Sequence, residues 1–357
     1  MITRSTAPVQ TNPINICQKS SPAWSQSWQS ILSQAVTSPT ELLDLLNLDS
    51  SLLPAAIAAS KSFQMRVPRT FIARMESGNL NDPLLQQVLP VQAESLETEG
   101  FVHDPLGEQV KNPHPGIIHK YYGRLLLMPG HLCAVNCRFC FRRHFAYQDN
   151  TLDKEEWQSA LTYIRNDTSL KEIILSGGDP LAQNDQRLQW LANELADIPH
   201  VQRLRIHTRM PVVIPQRICD ELLEWLTGTR LQPVIVIHCN HPNEIDDDVA
   251  YAMKQLHQHG VHLLNQSTLL KGINDNADTL LKLSEKLFSC HVLPYYLHLF
   301  DNVQNAAHFA VDDAKVARIV GEMSTRSSGY LVPKLVREVA GMPAKVTVLP
   351  NYENDRA

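Results

Sequence analysis

The chain has 357 residues, of which 43% are hydrophobic and 19% are charged, and its formal net charge is −5 at pH 7. These values describe an ordinary globular protein with enough residues for a large core, and they argue against a general nucleic-acid binder, which usually carries a basic surface. No apolar run reaches the roughly 18 residues of a membrane span and no signal peptide is evident, so we expect a cytoplasmic protein without a membrane partner.

The first part of the chain has helical character. Amphipathic stretches run through SQSWQSILSQAV at 25–36 and PTELLDLLNLDSSLLPAAIAASKSF at 39–63, and a polar, proline-rich passage follows through NPHPGIIHK at 112–120. We therefore predict a helical N-terminal region, residues 1–115, that packs on or leads into a main domain formed by residues 116–357.

The main domain shows a repeated strand and helix pattern. Short apolar runs bounded by turn residues alternate with helical patterns, and they lie at 123–129, 172–177, 201–208, 233–239, 261–267 and 293–300. Strands that alternate with helices in this way indicate βαβ units and a parallel sheet. We predict an α/β fold with a partial (β/α)6 barrel of the TIM type.

Polar residues follow almost every predicted strand. In barrels of this kind the chemistry lies at the C-terminal ends of the strands, so these residues are the first candidates for a site. In chain order they are Cys133 to Cys140, the segment Ser176-Gly-Gly-Asp-Pro180, His207 to Arg209, His238, Gln266 and Asp301.

Three of the seven cysteines, Cys133, Cys137 and Cys140, lie within the eight residues CAVNCRFC. In a reducing compartment clustered cysteines are more often metal-binding or catalytic than disulfide-bonded. The remaining cysteines are scattered, and we expect them to be small buried apolar side chains; they are Cys17, Cys219, Cys239 and Cys290.

Two kinds of metal site are compatible with the three thiols. A structural zinc site takes four ligands, and His131 or His144 is available to complete such a set. An iron–sulfur cubane normally takes four thiolates, so three would leave one iron open for a small molecule. A zinc-stabilised binding module is therefore the alternative from outside the enzymes.

The CxxxCxxC spacing, the basic and aromatic sequence FRRHF after it, and its position after a strand resemble the radical S-adenosylmethionine superfamily. The resemblance implies that Cys133, Cys137 and Cys140 bind a [4Fe-4S] cluster, whose open iron takes S-adenosylmethionine. The LSGGDP segment is similar to the superfamily's glycine motif for that ligand, although a glycine-rich turn alone would explain it. The implied residues are Ser176, Gly177, Gly178 and Asp179.

A longer resemblance narrows the family. From HKYYGRLLLMPGHLCAVNCRFCFRRHF through SGYLVPKLVREVAGMPAKVTVLPNY, over roughly 230 residues, the chain resembles the lysine 2,3-aminomutases. That family adds pyridoxal phosphate, held by a lysine near the C-terminus. Lys334 and Lys345 are not separated by the residues alone, but the resemblance implies Lys345. The family's glycine run is reduced here to Ala340-Gly-Met-Pro-Ala344.

The same resemblance assigns further residues. It implies that Arg124 and Tyr121 hold the phosphate and ring of pyridoxal phosphate, and that His238 and Gln266 lie near the adenosyl ligand. For the substrate, it implies three residues. Arg142 binds the carboxylate of L-lysine, and Asp301 and Glu338 receive its ε-ammonium, although the family usually has aspartate at the latter position.

The implied activity is that of an L-lysine 2,3-aminomutase, which converts L-α-lysine to (R)-β-lysine with an external electron donor. The sequence ends twelve residues after Lys345, with no cysteine after Cys290. This resembles the short branch that supplies β-lysine to elongation factor P through a partner ligase. Alternatives are a catabolic aminomutase, action on a related amino acid, and a radical enzyme without pyridoxal phosphate; a homo-oligomer is compatible with any of them.

Overall fold

The computed structural model describes residues 24–108, 111–147, 150 and 152–352. Its α-helices are α1 (Trp28–Ser33), α2 (Pro39–Leu45), α3 (Leu53–Ser62), α4 (Arg69–Ile72), α5 (Lys154–Asn166), α6 (Asp185–Ala196), α7 (Met210–Val213), α8 (Asp220–Thr227), α9 (Asp247–Gln258), α10 (Ala277–Ser289) and α11 (Asp313–Arg326). Its strands are β1 (Ile117–Tyr121), β2 (Arg124–Leu127), β3 (Glu172–Leu175), β4 (Arg203–Thr208), β5 (Gln232–His238), β6 (His262–Thr268), β7 (Leu293–His298), β8 (Lys334–Arg337) and β9 (Val346–Thr347).

The strands form one sheet whose spatial order follows the chain from β1 to β9. Strands β2 to β8 are parallel, and β1 and β9 pair antiparallel at the two edges. Sequential order with helices between the strands is the arrangement of a barrel wall, so the predicted α/β class with a partial barrel is confirmed. The six predicted strands correspond to β2–β7, whereas β1, β8 and β9 extend the sheet beyond the prediction.

The helices between the strands begin where local chemistry favours it. Asp153 caps α5 by accepting from the backbone N–H groups of Glu155 and Glu156, and Asn276 caps α10 in the same way. Each such cap contributes about 1 kcal/mol to helix stability. Helix α5 then buries the face carrying Trp157, Leu161 and Ile164, at helical spacing.

The N-terminal helices share the barrel's hydrophobic core. Trp28, Leu42 and Phe71 belong to the same buried cluster as Ile173 and Leu204 of the sheet. The amphipathic stretch at 39–63 forms two helices, α2 and α3, and Asn47, just after α2, takes the left-handed backbone conformation at φ 50°. Within the described ranges, no helix has the length and apolarity needed to cross a membrane.

The N-terminal region also forms hydrogen bonds with the loop that carries the cysteines. The backbone N–H of Asn136 donates to the carbonyl of Arg66 at 3.0 Å, and that of Arg138 donates to Gln87 at 2.9 Å. The Arg138 side chain donates from Nε to Glu94 Oε1 at 2.9 Å and from Nη1 to the carbonyl of Phe63 at 2.7 Å. Segments far apart in sequence therefore fix the backbone between Cys133 and Cys140.

Glu94 is the anion in this contact, and replacing it should destabilise the folded protein. It neutralises both Arg138 and Arg143, and all three side chains are fully buried. Removing one partner of a buried ion pair costs about 3–5 kcal/mol, because an uncompensated charge remains. We expect Glu94→Gln to lower the free energy of unfolding by about that amount in urea denaturation.

Glu97→Gln is the matched control for this substitution, because Glu97 is exposed three residues further along the same segment. Its effect should lie within about 0.5 kcal/mol of zero. Equal, small effects of both substitutions would show that Glu94 does not stabilise the cysteine loop.

Candidate active site

A cavity of about 280 Å³ lies at the C-terminal ends of the parallel strands. It is lined by twelve of the candidate site residues from the sequence: Tyr121, Arg124, Cys137, Cys140, Arg142, Ser176, His207, His238, Gln266, Asp301, Glu338 and Lys345. Those residues are contributed by elements spread from β1 to the segment before β9, so the sheet brings together side chains more than 200 positions apart. The C-terminal ends of the parallel strands account for most of this convergence, whereas Tyr121 and Arg124 reach the cavity from the edge where β2 and β3 begin.

The three cysteines lie in the loop that follows β2. Burial and the neighbouring Cys140, Asp179 and Cys137 raise the pKa of the Cys133 thiol well above its ordinary value. Burial and Cys137 likewise raise the pKa of the Cys140 thiol to about 11. Thiols that disfavour each other's ionisation in this way suit a positively charged group between them, because metal binding requires thiolates.

The geometry of the loop differs from that of a single-ion site. Over the described part of the chain, no group of three or more Cys, His, Asp or Glu side chains is placed to hold one metal ion. His144, a candidate fourth zinc ligand, instead lies 3.2 Å from the carbonyl of Gln304 and stacks on His103. Three thiols in one loop would provide the thiolate ligands of an iron–sulfur cluster that keeps one iron open.

Arg209, which follows β4, contacts the cysteine loop directly. Its Nη1 donates to Cys137 Sγ at 2.8 Å, and its Nη2 donates to Gln87 and Glu244 at 2.6 and 2.9 Å. Hydrogen bonds to ligand sulfurs stabilise negative charge there and tune the reduction potential of iron–sulfur clusters. The sequence placed Arg209 at a strand end but gave it no role.

The glycine segment after β3 packs against the same loop. A Cβ atom on Gly178 would lie 2.5 Å from the backbone carbon of His131, so only glycine fits there. The Asp179 carboxylate accepts from Thr208 Oγ1 at 2.6 Å and from the backbone N–H of Arg209 at 2.7 Å. In this structure Gly178 and Asp179 join β3, β4 and the cysteine loop, and their predicted contact with S-adenosylmethionine stays a prediction.

The three scattered cysteines in the described part of the chain are not at the cavity. Cys239 and Cys290 are buried, and Cys219 is half-buried against the core, in line with the apolar role expected for them. Cys17 lies outside the described residues.

The fold distinguishes between the two lysines that are candidates for binding pyridoxal phosphate. Lys345 lines the cavity and forms an ion pair with Glu338, whereas Lys334 is exposed at the start of β8. In the same cavity, the Arg124 guanidinium lies 4.6 Å from the centre of the Tyr121 ring. This set offers an amine, a phosphate-binding cation and an aromatic ring, which are the groups that pyridoxal phosphate needs.

Two histidines present free ring nitrogens in the cavity wall. His207 Nε2 and His238 Nε2 are buried and have no hydrogen-bond partner in the described structure. Burial, together with Arg209, lowers the pKa of His238 to about 4, so its ring is neutral. In the register of the sheet His238 pairs with Gln266, which places both at one point of the rim. A buried polar atom without a hydrogen-bond partner destabilises the folded protein. This wall therefore suits a polar ligand that supplies the missing partners.

The acidic residues form the far end of the cavity. Burial and the charge of Glu338 raise the pKa of Asp301 to about 7. Burial acts to raise the pKa of Glu338 too, but Lys345 and Lys120 outweigh it and hold that pKa below its ordinary value. Two carboxyls that face each other in this way favour a bound cation.

The raised pKa of Asp301 predicts a pH-dependent stability. A carboxyl with a higher pKa in the folded protein contributes stability at low pH and loses it as the pH rises through the folded value. The contribution of Asp301 to the free energy of unfolding should therefore fall between about pH 4 and pH 7, by up to about 1.4 kcal/mol per pH unit. Asp301→Asn should remove this slope in thermal unfolding across that range.

The exposed Asp44 provides the control, because Asp44→Asn should leave the pH profile of unfolding unchanged. A wild-type slope that persists in Asp301→Asn would assign the pH dependence to another group.

Two residues that line the cavity were not predicted from the sequence. Glu108 lies in the polar segment before β1, and Lys120 lies on β1, a strand that the apolar pattern did not predict. Both line the cavity, and both form ion pairs with predicted site residues. Their contacts depend on tertiary structure, which no local pattern encodes.

Comparison with known proteins agrees with this geometry. The family described as the radical SAM superfamily matches residues 127–283. The L-lysine 2,3-aminomutase of Haemophilus influenzae is 53% identical over 320 residues, covering 90% of this chain and 95% of that protein. The Escherichia coli protein of the same name is 51% identical, covering 90% and 94%. The Clostridium subterminale protein of that name is 37% identical, covering 82% and 70%.

Proposed function

Because the chain belongs to the lysine 2,3-aminomutase family of radical S-adenosylmethionine enzymes, we propose that it isomerises L-lysine to β-lysine. The family implies a [4Fe-4S] cluster, S-adenosylmethionine and pyridoxal phosphate as cofactors. The observation that carries the proposal is the shared cavity, in which cysteines, a lysine amine, an arginine and two carboxyls converge. No simpler function of an α/β barrel calls for this combination.

The cofactors have distinct places in the proposed site. Cys133, Cys137 and Cys140 hold the cluster, and Ser176 to Asp179 with His238 and Gln266 surround S-adenosylmethionine. Lys345, Arg124 and Tyr121 hold pyridoxal phosphate. When bound, these groups supply the radical and the delocalising ring, and the protein supplies orientation and exclusion of water.

The substrate spans the cavity between opposite charges. Arg142 binds the α-carboxylate, and a fork of guanidinium N–H donors suits that group. Asp301 and Glu338 receive the ε-ammonium. The buried pair of carboxyls supports a cationic side chain, because an anionic substrate such as glutamate would meet like charge.

The proposal extends to the fate of the product. The (R)-β-lysine is passed to a ligase that modifies elongation factor P in the cytoplasm, and an external donor reduces the cluster. Support comes from the resemblance to the short branch, and the chain is more similar to the Haemophilus influenzae protein, at 53% identity, than to the Clostridium subterminale protein, at 37%. Residues 116–357 carry the chemistry, residues 1–115 support the cysteine loop, and assembly into a homo-oligomer is compatible with both.

The direct test is anaerobic reconstitution with iron, sulfide and pyridoxal phosphate, followed by reductant, S-adenosylmethionine and L-lysine. We expect β-lysine, identified by chiral chromatography and mass spectrometry. Its absence, with cluster and bound pyridoxal phosphate both present, would contradict the proposal. In cells, deletion of the gene should remove the lysyl adduct from elongation factor P, and an unchanged adduct would contradict the proposed fate.

A further inference from the structure

Five side chains of alternating charge form a series of ion pairs along the cavity wall. Arg142 pairs with Glu108, Glu108 with Lys120, Lys120 with Glu338, and Glu338 with Lys345. Lys120 Nζ is 3.0 Å from Glu108 Oε1 and 2.7 Å from Glu338 Oε1. The series thus connects the proposed carboxylate-binding residue with the proposed ammonium-binding residue through two residues that the family resemblance did not assign.

Glu108 is built into this series rather than resting on the surface. Its side chain is only 4% exposed, and both of its oxygens are used by cations. Burial acts to raise the pKa of Glu108, but Arg142 and Lys120 outweigh it, so the carboxylate stays ionised. A charge that is buried and fully paired holds its partners in place, because any movement exposes uncompensated charge.

The ion pair between Arg142 and Glu108 uses only one edge of the guanidinium group. Arg142 donates to Glu108 from Nε at 2.6 Å and from Nη2 at 2.9 Å, so the carboxylate occupies one side of the guanidinium plane. The remaining nitrogen, Nη1, lies 3.2 Å from Ser176 Oγ at the cavity wall. A bidentate pair fixes the plane of the guanidinium, which a single contact would not. The Nη1 side is therefore held toward the cavity.

We infer that Glu108 is a positioning residue for the amino-acid substrate. It holds the Nη1 edge of Arg142, which donates to Ser176 Oγ in this structure, toward the place of the α-carboxylate. Lys120 ties the same carboxylate to Glu338, so one buried segment sets the spacing between the two ends of the substrate site. This inference rests on the proposed function, because it takes Arg142 as the carboxylate-binding residue. It predicts a selective effect on ligands that carry an α-carboxylate.

The test uses Glu108→Gln with bound cluster and pyridoxal phosphate but without reductant or S-adenosylmethionine. Ligand binding is followed by the change in absorbance of the bound pyridoxal phosphate. The dissociation constant of L-lysine should rise by about 10- to 100-fold, because the amide cannot accept two N–H donors from Arg142. The binding of L-2-aminohexanoate should weaken by the same factor, whereas the binding of 1,5-diaminopentane, which lacks the carboxylate, should weaken far less.

Arg142→Gln provides the second arm of the experiment. If Glu108 acts through Arg142, adding Glu108→Gln to Arg142→Gln should weaken lysine binding little further, since coupled residues are not additive. Should Glu108→Gln fail to fold, Glu108→Asp keeps the buried charge but is too short to reach both Nε and Nη2. It should show the same selective loss.

The outcomes separate the inference from the proposed function. Unchanged lysine affinity in Glu108→Gln, with weakened binding in Arg142→Gln, overturns the inference alone. Equal weakening of all three ligands also overturns it, because that pattern indicates a structural role. Unchanged affinity in Arg142→Gln instead contradicts the proposed orientation of the substrate.

Discussion

Replacing Cys133, Cys137 or Cys140 with alanine should abolish reductive cleavage of S-adenosylmethionine while leaving pyridoxal phosphate bound at Lys345. In the proposed function each cysteine supplies one of three thiolates, and all three lie in one loop held by the N-terminal region and by Arg209. Without one ligand the cluster loses its anchoring and its open iron loses its defined position. Iron content, the electron paramagnetic resonance signal of the reduced cluster and 5′-deoxyadenosine formation measure the loss.

Cys219→Ala is the matched control, because Cys219 is half-buried away from the cavity. It should retain iron, the cluster signal and cleavage of S-adenosylmethionine. Loss of both the cluster and pyridoxal phosphate binding in the three loop variants would indicate a structural metal site instead of a catalytic one.

Lys345→Ala should eliminate β-lysine formation, by at least about a thousandfold, the scale of loss seen when a covalently acting residue is removed. Lys345 is the lysine that lines the cavity beside Arg124 and Tyr121, and its amine is paired with Glu338. The variant should lose the visible absorbance of lysine-bound pyridoxal phosphate. It should keep its cluster signal, because the cysteines lie at the other end of the cavity.

Lys334→Ala separates the two candidate lysines. Lys334 is exposed and outside the cavity, so this variant should retain absorbance and activity. Loss of both in Lys334→Ala, with activity preserved in Lys345→Ala, would reverse the assignment. Retained β-lysine formation in both variants would favour a radical enzyme that does not use pyridoxal phosphate.

Much of the fold is predictable because its strands are strongly apolar. Strand β5, Gln232–His238, has four consecutive buried residues, and such runs bounded by turns are clear in the sequence. Strands β1 and β8 were missed because they are short and mix charged with apolar residues. Strand β9 has only two residues and depends on its pairing with β8.

The site was predictable only in part. The cysteines were found because the spacing of their thiols is local, and Arg142, Asp301, Glu338 and Lys345 came through the resemblance. Glu108 and Lys120 were not predicted, because each belongs to the site through an ion pair with a residue far along the chain. Arg209 was seen at a strand end, but its contact with Cys137 arises only when β4 and the cysteine loop meet.

The N-terminal region shows a second limit of sequence reasoning. Its helices were predicted, but their partner was not, because amphipathicity indicates a buried face without indicating what covers it. In the structure this region packs into the barrel core, and Glu94 neutralises Arg138 and Arg143 of the cysteine loop. The boundary between residues 115 and 116 stays a prediction.

The central claim is that one cavity joins radical chemistry at the cysteine loop to a lysine held near Lys345. The most direct measurement is transfer of deuterium from L-lysine labelled at C3, incubated with the reconstituted protein, reductant and S-adenosylmethionine. We predict deuterium in 5′-deoxyadenosine and at C2 of β-lysine, detected by mass spectrometry. Formation of 5′-deoxyadenosine without deuterium, and with the labelled lysine unchanged, would contradict the account.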